Sequence, residues 1–341
     1  MRGQKKAESK LHAAPLSQVR VWPEAPEPSR VEFLYSFSSG KDLGWNRSLW
    51  RKFLDWAMQG TDGSILQRPF SVAVDVRGRL IIADVGARQV KIFDPSKKSV
   101  KRIRGYKGRQ FGSPVAVALD RDQNIYVSDS SAGRVLKFSP DGKPLGLIGG
   151  EEGAFKRPAA IVFNRANGLL YVVDTVRPRI FAYSPDGRLV RQFGEPGVGP
   201  GQFNFPTFIA ADREGRLYVN DTLNFRIQTF SPEGNFISTF GSLGNGSGDI
   251  NRAKGVALDS ESHIYVADAV FSTVQIFDRS GAYLLSVGRQ GSQAGEFYIP
   301  TGVTIDASDH IYVADPFQGR IQIFRYLPQH QASSKLLEPG R

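Results

Sequence analysis

HIYVADAVFSTVQIF at 263–277 and HIYVADPFQGRIQIF at 310–324 are near copies of each other, 47 residues apart. The core of the copy is an apolar run that ends in Asp, and it occurs six times: LIIAD (80–84), IYVSD (125–129), LYVVD (170–174), LYVND (217–221), IYVAD (264–268) and IYVAD (311–315). The terminal Asp residues follow one another at intervals of 45, 45, 47, 47 and 47 residues. A repeat of about 40–50 residues with β patterning indicates a propeller or a related array.

Each repeat contains four strand-like runs separated by turn-forming residues. In the fourth repeat the runs are TFIAAD (207–212), RLYVND (216–221), FRIQTFS (225–231) and NFISTFG (235–241). They are rich in β-branched and aromatic residues and apolar on both faces, which suits sheets that pack against a neighbour on either side. Four strands repeated radially are the blades of a β-propeller.

The last repeat lacks its fourth strand at the C-terminal end of the chain. RIQIFRYL (320–327) is followed by PQHQASSKLLEPGR, whereas SRVEFLYSFSSG (29–40) has the pattern of a fourth strand. We therefore predict that residues 31–37 form the outer strand of the last blade, which closes the ring and removes its open edges. The predicted fold is an all-β, six-bladed propeller of four-stranded blades over residues 31–327, with a Pro-rich tail (1–30) and a C-terminal tail (328–341).

One segment breaks the repeat. The insert 41–68 contains NRSLWRKFLDWAMQG, whose apolar residues recur at helical spacing, with Asn46 as a candidate N-cap and Gly60 as a candidate C-cap. We predict an amphipathic helix over about 46–59. Either it packs on the propeller at the ring junction, or it is a lid or docking helix for a ligand.

Composition and charge exclude some chemistry. The formal net charge is +11, and no Cys is present, so disulfides and thiolate metal sites are excluded. No run reaches the roughly 18 apolar residues of a membrane span. The segment 97–109 is basic without an acidic residue, and its cations are Lys97, Lys98, Lys101, Arg102, Arg104, Lys107 and Arg109. Such a segment either attracts an anionic polymer or protects an outer strand as a charged edge.

The repeat cores YVxD…RIQxF, together with linkers such as GPGQFNFP (199–206) and AGEFYIP (294–300), resemble the NHL-repeat family of six-bladed propellers. The N-terminal segment is similar to that of a bacterial subgroup that is often exported and sometimes lipid-anchored. That resemblance implies a periplasmic or cell-surface protein whose signal sequence is absent from this chain, while a cytoplasmic location stays open. A lipid anchor would need an N-terminal Cys. Relatives include RNA-binding domains and metal-dependent lyases and hydrolases.

The Asp residues that end the second strands should form a ring. We expect each carboxylate to lock its turn, paired with an arginine four or five residues later: Arg88, Arg134, Arg179, Arg226 and Arg320. Thr273 replaces the arginine in blade 5. Identical residues in every blade favour a structural role, since an active site would break the symmetry.

His263 and His310 precede the second strands of blades 5 and 6, and a metal site there would need further ligands. Neither a metal site nor a catalytic set nor a cofactor is predicted.

The sequence favours a non-catalytic, monomeric propeller that binds a protein or peptide on the face formed by the loops after the second strands. Aromatic residues in three consecutive blades motivate this expectation. The candidate contacts are Trp45, Trp50, Arg177, Asn224, Phe225, Arg226, Phe271, Phe317 and Arg320. One alternative is binding of single-stranded RNA or another anionic polymer through 97–109 together with Arg177, Arg226 and Arg320. The other is a metal-dependent lyase or hydrolase that uses the central channel.

Overall fold

The computed structural model describes residues 20–45, 63–150 and 154–328, and within them the protein is a six-bladed β-propeller. Each blade is an antiparallel sheet that starts at the central channel and ends at the rim. Two strands precede blade 1: β1 (Val21–Trp22) and β2 (Val31–Phe37). Blade 1 contains β3 (Pro69–Val74), β4 (Leu80–Asp84), β5 (Gln89–Asp94) and β6 (Ser99–Ile103), followed by a hairpin of β7 (Gly105–Tyr106) and β8 (Arg109–Gln110).

The next blades repeat this order. Blade 2 contains β9 (Pro114–Leu119), β10 (Ile125–Asp129), β11 (Arg134–Phe138) and β12 (Pro144–Ile148). Blade 3 contains β13 (Pro158–Asn164), β14 (Leu169–Asp174), β15 (Arg179–Tyr183) and β16 (Leu189–Phe193), and its linker to blade 4 holds the short parallel pair β17 (Glu195–Pro196) and β18 (Gln202–Phe203).

The remaining strands complete the ring. Blade 4 contains β19 (Pro206–Ala211), β20 (Leu217–Asp221), β21 (Arg226–Phe230) and β22 (Phe236–Phe240). Blade 5 contains β23 (Ala253–Leu258), β24 (Ile264–Asp268), β25 (Thr273–Phe277) and β26 (Tyr283–Val287). Blade 6 contains β27 (Val303–Ile305), β28 (His310–Asp315) and β29 (Arg320–Tyr326). In the described residues, helical structure is limited to the 3₁₀ turns Thr222–Asn224 and Pro316–Gln318.

The predicted closure of the ring is confirmed. Strand β2 pairs antiparallel with β29, with Phe33 opposite Phe324 and Phe37 opposite Ile321. The sheet order β1-β2-β29-β28-β27 places both ends of the propeller in one blade. Part of the expected N-terminal tail also belongs to this sheet, because β1 adds a fifth strand beyond β2 and Trp22 packs edge-on against Phe324 at 5.7 Å.

The hydrophobic core lies between neighbouring blades, as strands apolar on both faces require. A recurring contact joins a Phe at the end of the fourth strand to a Phe on the third strand of the next blade. The ring centroids are 5.3 Å apart for Phe37–Phe93, 5.2 Å for Phe193–Phe230 and 5.0 Å for Phe240–Phe277. The pair Phe37–Phe93 joins blade 6 to blade 1, so the closing seam is packed like an internal one.

Trp45 also belongs to this seam. It is 7% exposed and lies 6.0 Å from the ring of Phe93, rather than at the surface where we expected a ligand contact. The predicted insert helix (46–59) and Trp50 lie outside the described residues.

Candidate functional site

A ring of buried aspartates organises one face of the propeller, which we call the loop face: the face of the loops after the second strands and of the linkers between blades. All six carboxylates that end the second strands are fully buried: Asp84, Asp129, Asp174, Asp221, Asp268 and Asp315. They accept hydrogen bonds from backbone N–H groups of the preceding linker, for example from Arg68 to Asp84 (2.8 Å), from Arg157 to Asp174 (2.9 Å) and from Arg252 to Asp268 (3.1 Å). The aspartates therefore fix where each linker enters its innermost strand.

The cations that pair with this ring differ in part from the predicted arginines. Arg134, Arg226 and Arg320 contact their aspartates at 3.1, 2.9 and 3.1 Å. In blade 1 the partner of Asp84 is Lys91 at 2.7 Å, and Arg88 is exposed instead. In blade 3 the partner of Asp174 is Arg177 at 3.1 Å rather than Arg179.

Blade 5 has no such cation. No Lys, Arg or His lies within ion-pairing distance of Asp268 in the described part of the chain; the carboxylate accepts four backbone N–H bonds instead, from residues 251, 252, 270 and 271. The Thr273 hydroxyl beside it is buried and has no hydrogen-bond partner within the described residues. Blade 5 therefore keeps the carboxylate of the repeat without its ion pair.

Several predicted contact residues serve the scaffold. The Arg226 guanidinium donates to the linker carbonyls of Gly199 (2.8 Å) and Gln202 (3.0 Å). The Asn224 amide donates to Gly197 O at 2.9 Å and to Asp221 at 2.8 Å, and Arg320 bonds the carbonyls of the linker before blade 6 in the same way. These side chains hold the linkers against the blades, so most of their donors are already used.

The exposed apolar side chains of the loop face are mainly aliphatic. Phe225 and Phe271 are half-buried, and only Phe317 among the three predicted aromatics is well exposed. Phe317 packs edge-on against Tyr298 at 5.7 Å, and the Arg68 guanidinium lies 5.3 Å from its ring centre.

An exposed apolar residue follows the buried aspartate by two positions in four consecutive blades. We call these residues the apolar arc: Val176 (57% exposed), Leu223 (48%), Val270 (58%) and Phe317 (54%). Blades 1 and 2 have Gly86 and Ser131 at this position. Alignment of the six repeats on their aspartates would have revealed the arc, but aromatic residues alone do not.

The central channel is lined mostly by residues with apolar side chains. It encloses about 230 Å³, and its lining comes from the innermost strands of the blades. The polar residues that line it are Ser71, Arg165 and Thr304, so its described lining has no carboxylate and no imidazole. Phe70 of blade 1 and Phe208 of blade 4 stack at 6.2 Å. Because these blades are opposite in a ring of six, the two side chains meet across the axis and obstruct it.

The two histidines belong to a repeated turn on the opposite face. His263 Nδ1 lies 2.9 Å from Asp259, and His310 Nδ1 lies 3.1 Å from Asp306. Arg79 and Arg216 make the same i,i+4 pair in blades 1 and 4. The hydrogen bond to Asp259 raises the pKa of His263 above its usual value, although partial burial opposes the shift. Among the described residues no three His, Cys, Asp or Glu side chains come together as a metal site.

The basic segment 97–109 presents its cations to solvent. All seven are exposed, on β6, the turn before it, the connection to β7 and the β7–β8 hairpin. Its position at the outer edge of blade 1 separates it from most of the apolar arc, which lies in blades 3 to 6.

Comparisons with known proteins agree with the fold. Residues 249–327 match a family described as a 6-bladed beta-propeller (DUF5128). No curated protein matches the sequence of this chain.

Similar solved structures have varied functions. A Bacteroides thetaiotaomicron protein of unknown function aligns with a TM-score of 0.61 at 15% identity, covering 78% of this chain and 71% of that one. Virginiamycin B lyase from Staphylococcus aureus has a TM-score of 0.57 at 14% identity, with coverages of 76% and 96%. A gluconolactonase from Xanthomonas campestris has a TM-score of 0.57 at 16% identity, with coverages of 77% and 87%. At these identities the similarity shows a shared fold, and a fold alone does not transfer an activity.

Across the described residues, no helix has both the length and the apolar character needed to traverse a lipid bilayer.

Proposed function

We propose that this propeller is a non-catalytic binding module that holds a protein or peptide partner on its loop face. The observation that carries the proposal is the apolar arc, in which four consecutive blades expose an aliphatic or aromatic side chain at the same position. Grouped exposed apolar residues on a soluble protein mark interaction surfaces. The YVxD…RIQxF cores further suggest that the module belongs with the NHL-repeat propellers.

The rigidity of this face supports the proposal. The loops that present the arc begin at buried aspartates, and three of the four blades of the arc also lock the loop with an arginine pair. A surface that is ordered before binding loses little conformational entropy when the partner docks.

Catalysis in the channel has less support. The lyase and the lactonase share the fold, but the described channel lining of this chain has neither an acid–base pair nor a set of metal-binding side chains. Chemistry of that kind would require such groups within reach of a substrate.

The proposal is tested by removing the arc without disturbing the scaffold. The arc variant carries Val176→Ser, Leu223→Ser, Val270→Ser and Phe317→Ser. Its matched control carries Leu145→Ser, Leu189→Ser, Ile237→Ser and Leu284→Ser, which removes apolar residues of similar exposure (46–54%) from outer strands.

Each protein is crosslinked in an extract of the source cell, and the captured proteins are quantified. We expect a stoichiometric partner with the unmodified chain and with the control, and at least a tenfold loss with the arc variant. Equal capture by both variants, or no stoichiometric partner at all, contradicts the proposal.

A second candidate function rests on the exposed basic segment. Its seven cations fit the backbone of single-stranded RNA or another anionic polymer, and such binding weakens steeply with salt. Filter binding of an RNA oligonucleotide at two salt concentrations tests this, with Lys101→Ser and Arg104→Ser as the expected loss-of-binding changes. Salt-independent binding, or binding unaffected by these changes, contradicts it.

A further inference from the structure

Four cations lie around the mouth of the channel on the loop face. Arg68, Arg157 and Arg252 immediately precede the innermost strands of blades 1, 3 and 5, and Lys254 is the second residue of β23. Within the described residues, none of these four side chains makes an ion pair with Asp or Glu. The three arginines are exposed and Lys254 is half-buried.

The buried aspartates hold the backbone of the three arginines in place. Arg157 has its N–H bonded to Asp174 at 2.9 Å and its C=O bonded by Thr175 N at 3.0 Å. Arg252 is held in the same way, by Asp268 at 3.1 Å and by Ala269 N at 3.0 Å. Because the backbone N–H and C=O of Arg157 and of Arg252 are both hydrogen-bonded, the Cα positions of these two arginines are fixed at the mouth of the channel.

Lys254 lies at the start of the innermost strand of blade 5, at the mouth of the channel. It has the same place in β23 that Phe70 has in β3, and Phe70 reaches the axis to stack on Phe208. Burial lowers the pKa of Lys254, and the charges of Arg252 and Arg157 lower it further. Arg157 lies in blade 3 and Lys254 in blade 5, so cations from both sides of blade 4 converge at the mouth.

We propose that the mouth is an anion site in which Lys254, Arg252 and Arg157 bind a carboxylate group of the partner. This inference rests on the proposed function and gives the partner a chemistry: an acidic residue or chain terminus at the mouth, flanked by apolar side chains on the arc. A bound anion relieves the repulsion among the three cations. The anion should therefore bind more tightly here than at an isolated surface lysine, where no such repulsion is relieved.

The experiment uses succinate as the carboxylate probe, succinamide as the neutral control and inorganic phosphate as the alternative anion, all at constant ionic strength. The readout is the pKa of Lys254, followed by NMR after ¹³C-methylation of the lysines. We expect succinate to raise the pKa of Lys254 by at least half a unit, and succinamide to leave it unchanged.

Variants assign the effect to the mouth. The change Lys254→Thr introduces the residue that blades 4 and 6 have at this position, and it should weaken succinate binding by at least fivefold in calorimetry, as should Arg157→Ala. The matched control Lys143→Thr alters an exposed lysine in the turn before β12 of blade 2. It should leave binding unchanged.

Three outcomes overturn the assignment. They are no response of Lys254 to succinate, an equal loss of binding in Lys143→Thr, and phosphate binding more than tenfold tighter than succinate binding, which would indicate a phosphorylated ligand. The arc variant separates the two proposals. If it loses the protein partner but still binds succinate, both stand. If it keeps the partner while succinate binds, the anion site stands and the arc is refuted as the docking surface.

Discussion

The closing sheet can be tested by a disulfide between its two strands. Glu32 on β2 is directly opposite Arg325 on β29, and their side chains form an ion pair. Opposed residues in an antiparallel pair have Cα atoms about 4.5–5.5 Å apart, which lies within the range of a disulfide. Because the chain has no Cys, Glu32→Cys with Arg325→Cys introduces the only two thiols.

The expected gain follows from the length of chain that the bond closes. The two positions are 293 residues apart, and a loop of that size corresponds to about 5–6 kcal/mol in the chain-entropy model. Both forms of this variant lack the Glu32–Arg325 ion pair, so the loss of the pair cancels in the comparison. The oxidised variant should therefore exceed its own reduced form by up to about 5–6 kcal/mol in guanidinium unfolding.

The reduced form of the same variant is the control, because it differs by the bond alone. Alkylation and mass spectrometry count the free thiols in the folded protein. If both thiols stay free after mild oxidation, or if oxidised and reduced forms unfold within about 1 kcal/mol of each other, the pairing of β2 with β29 is refuted.

Substitutions at three further positions test the blades themselves. Asn220 is fully buried, and its side-chain amide has no hydrogen-bond partner in the described residues. Asn220→Val introduces the residue that blade 3 has at this position and should stabilise the protein by about 1–2 kcal/mol. A lower melting temperature of this variant would show that the amide makes hydrogen bonds in the folded protein. Thr273→Arg should restore the missing ion pair of Asp268 and raise the free energy of unfolding by about 1–3 kcal/mol, whereas Thr273→Val should not. If both variants change the free energy of unfolding equally, the inserted arginine does not form the ion pair that the other blades have. The pKa of His263 is raised in the folded state, so its pair with Asp259 stabilises the protein below about pH 6.5 and is lost as pH rises through the folded-state pKa. His263→Arg keeps a positive charge at all these pH values. The free energy of unfolding of the natural chain relative to this variant should therefore fall between pH 6 and 8, by less than about 1 kcal/mol. If urea unfolding gives the same difference at every pH, the charged pair of His263 with Asp259 is excluded.

The fold could be predicted from the sequence because it depends on periodicity. The six Asp-terminated runs set the number of blades, and the missing fourth strand after Tyr326 pointed to residues 31–37. Both features depend on local strand pattern and on the need to close a ring. The short strand β1 was missed because Val21 and Trp22 lie in a Pro-rich segment whose pairing depends on an edge that exists only in the folded sheet.

The candidate site was predicted less well, because exposure depends on loop geometry. Leu223 and Phe317 lie in 3₁₀ turns and are exposed. Phe225 follows such a turn with a φ of 54°, in the position that Gly319 has in blade 6 with a φ of 60°. An aromatic side chain at a left-handed position is directed by the turn, so residue type alone did not predict which apolar groups face solvent.

The ion pairs show a second limit of repeat alignment. Lys91 replaces the expected Arg88, and Arg177 replaces Arg179. A long flexible cation can reach the same buried carboxylate from several nearby positions. The sequence therefore indicated that each carboxylate needs partners, but not which side chain supplies them.

Site-specific photocrosslinking distinguishes a partner bound on the loop face from one bound on the outer strands. A diazirine amino acid placed at Leu223 on the arc is compared with one placed at Ile237 on an outer strand, two positions of nearly equal exposure, 48% and 49%. After irradiation in an extract of the source cell, we expect a discrete crosslinked partner at position 223 and none at 237. A partner captured equally at both positions, or only at 237, would contradict binding on the loop face.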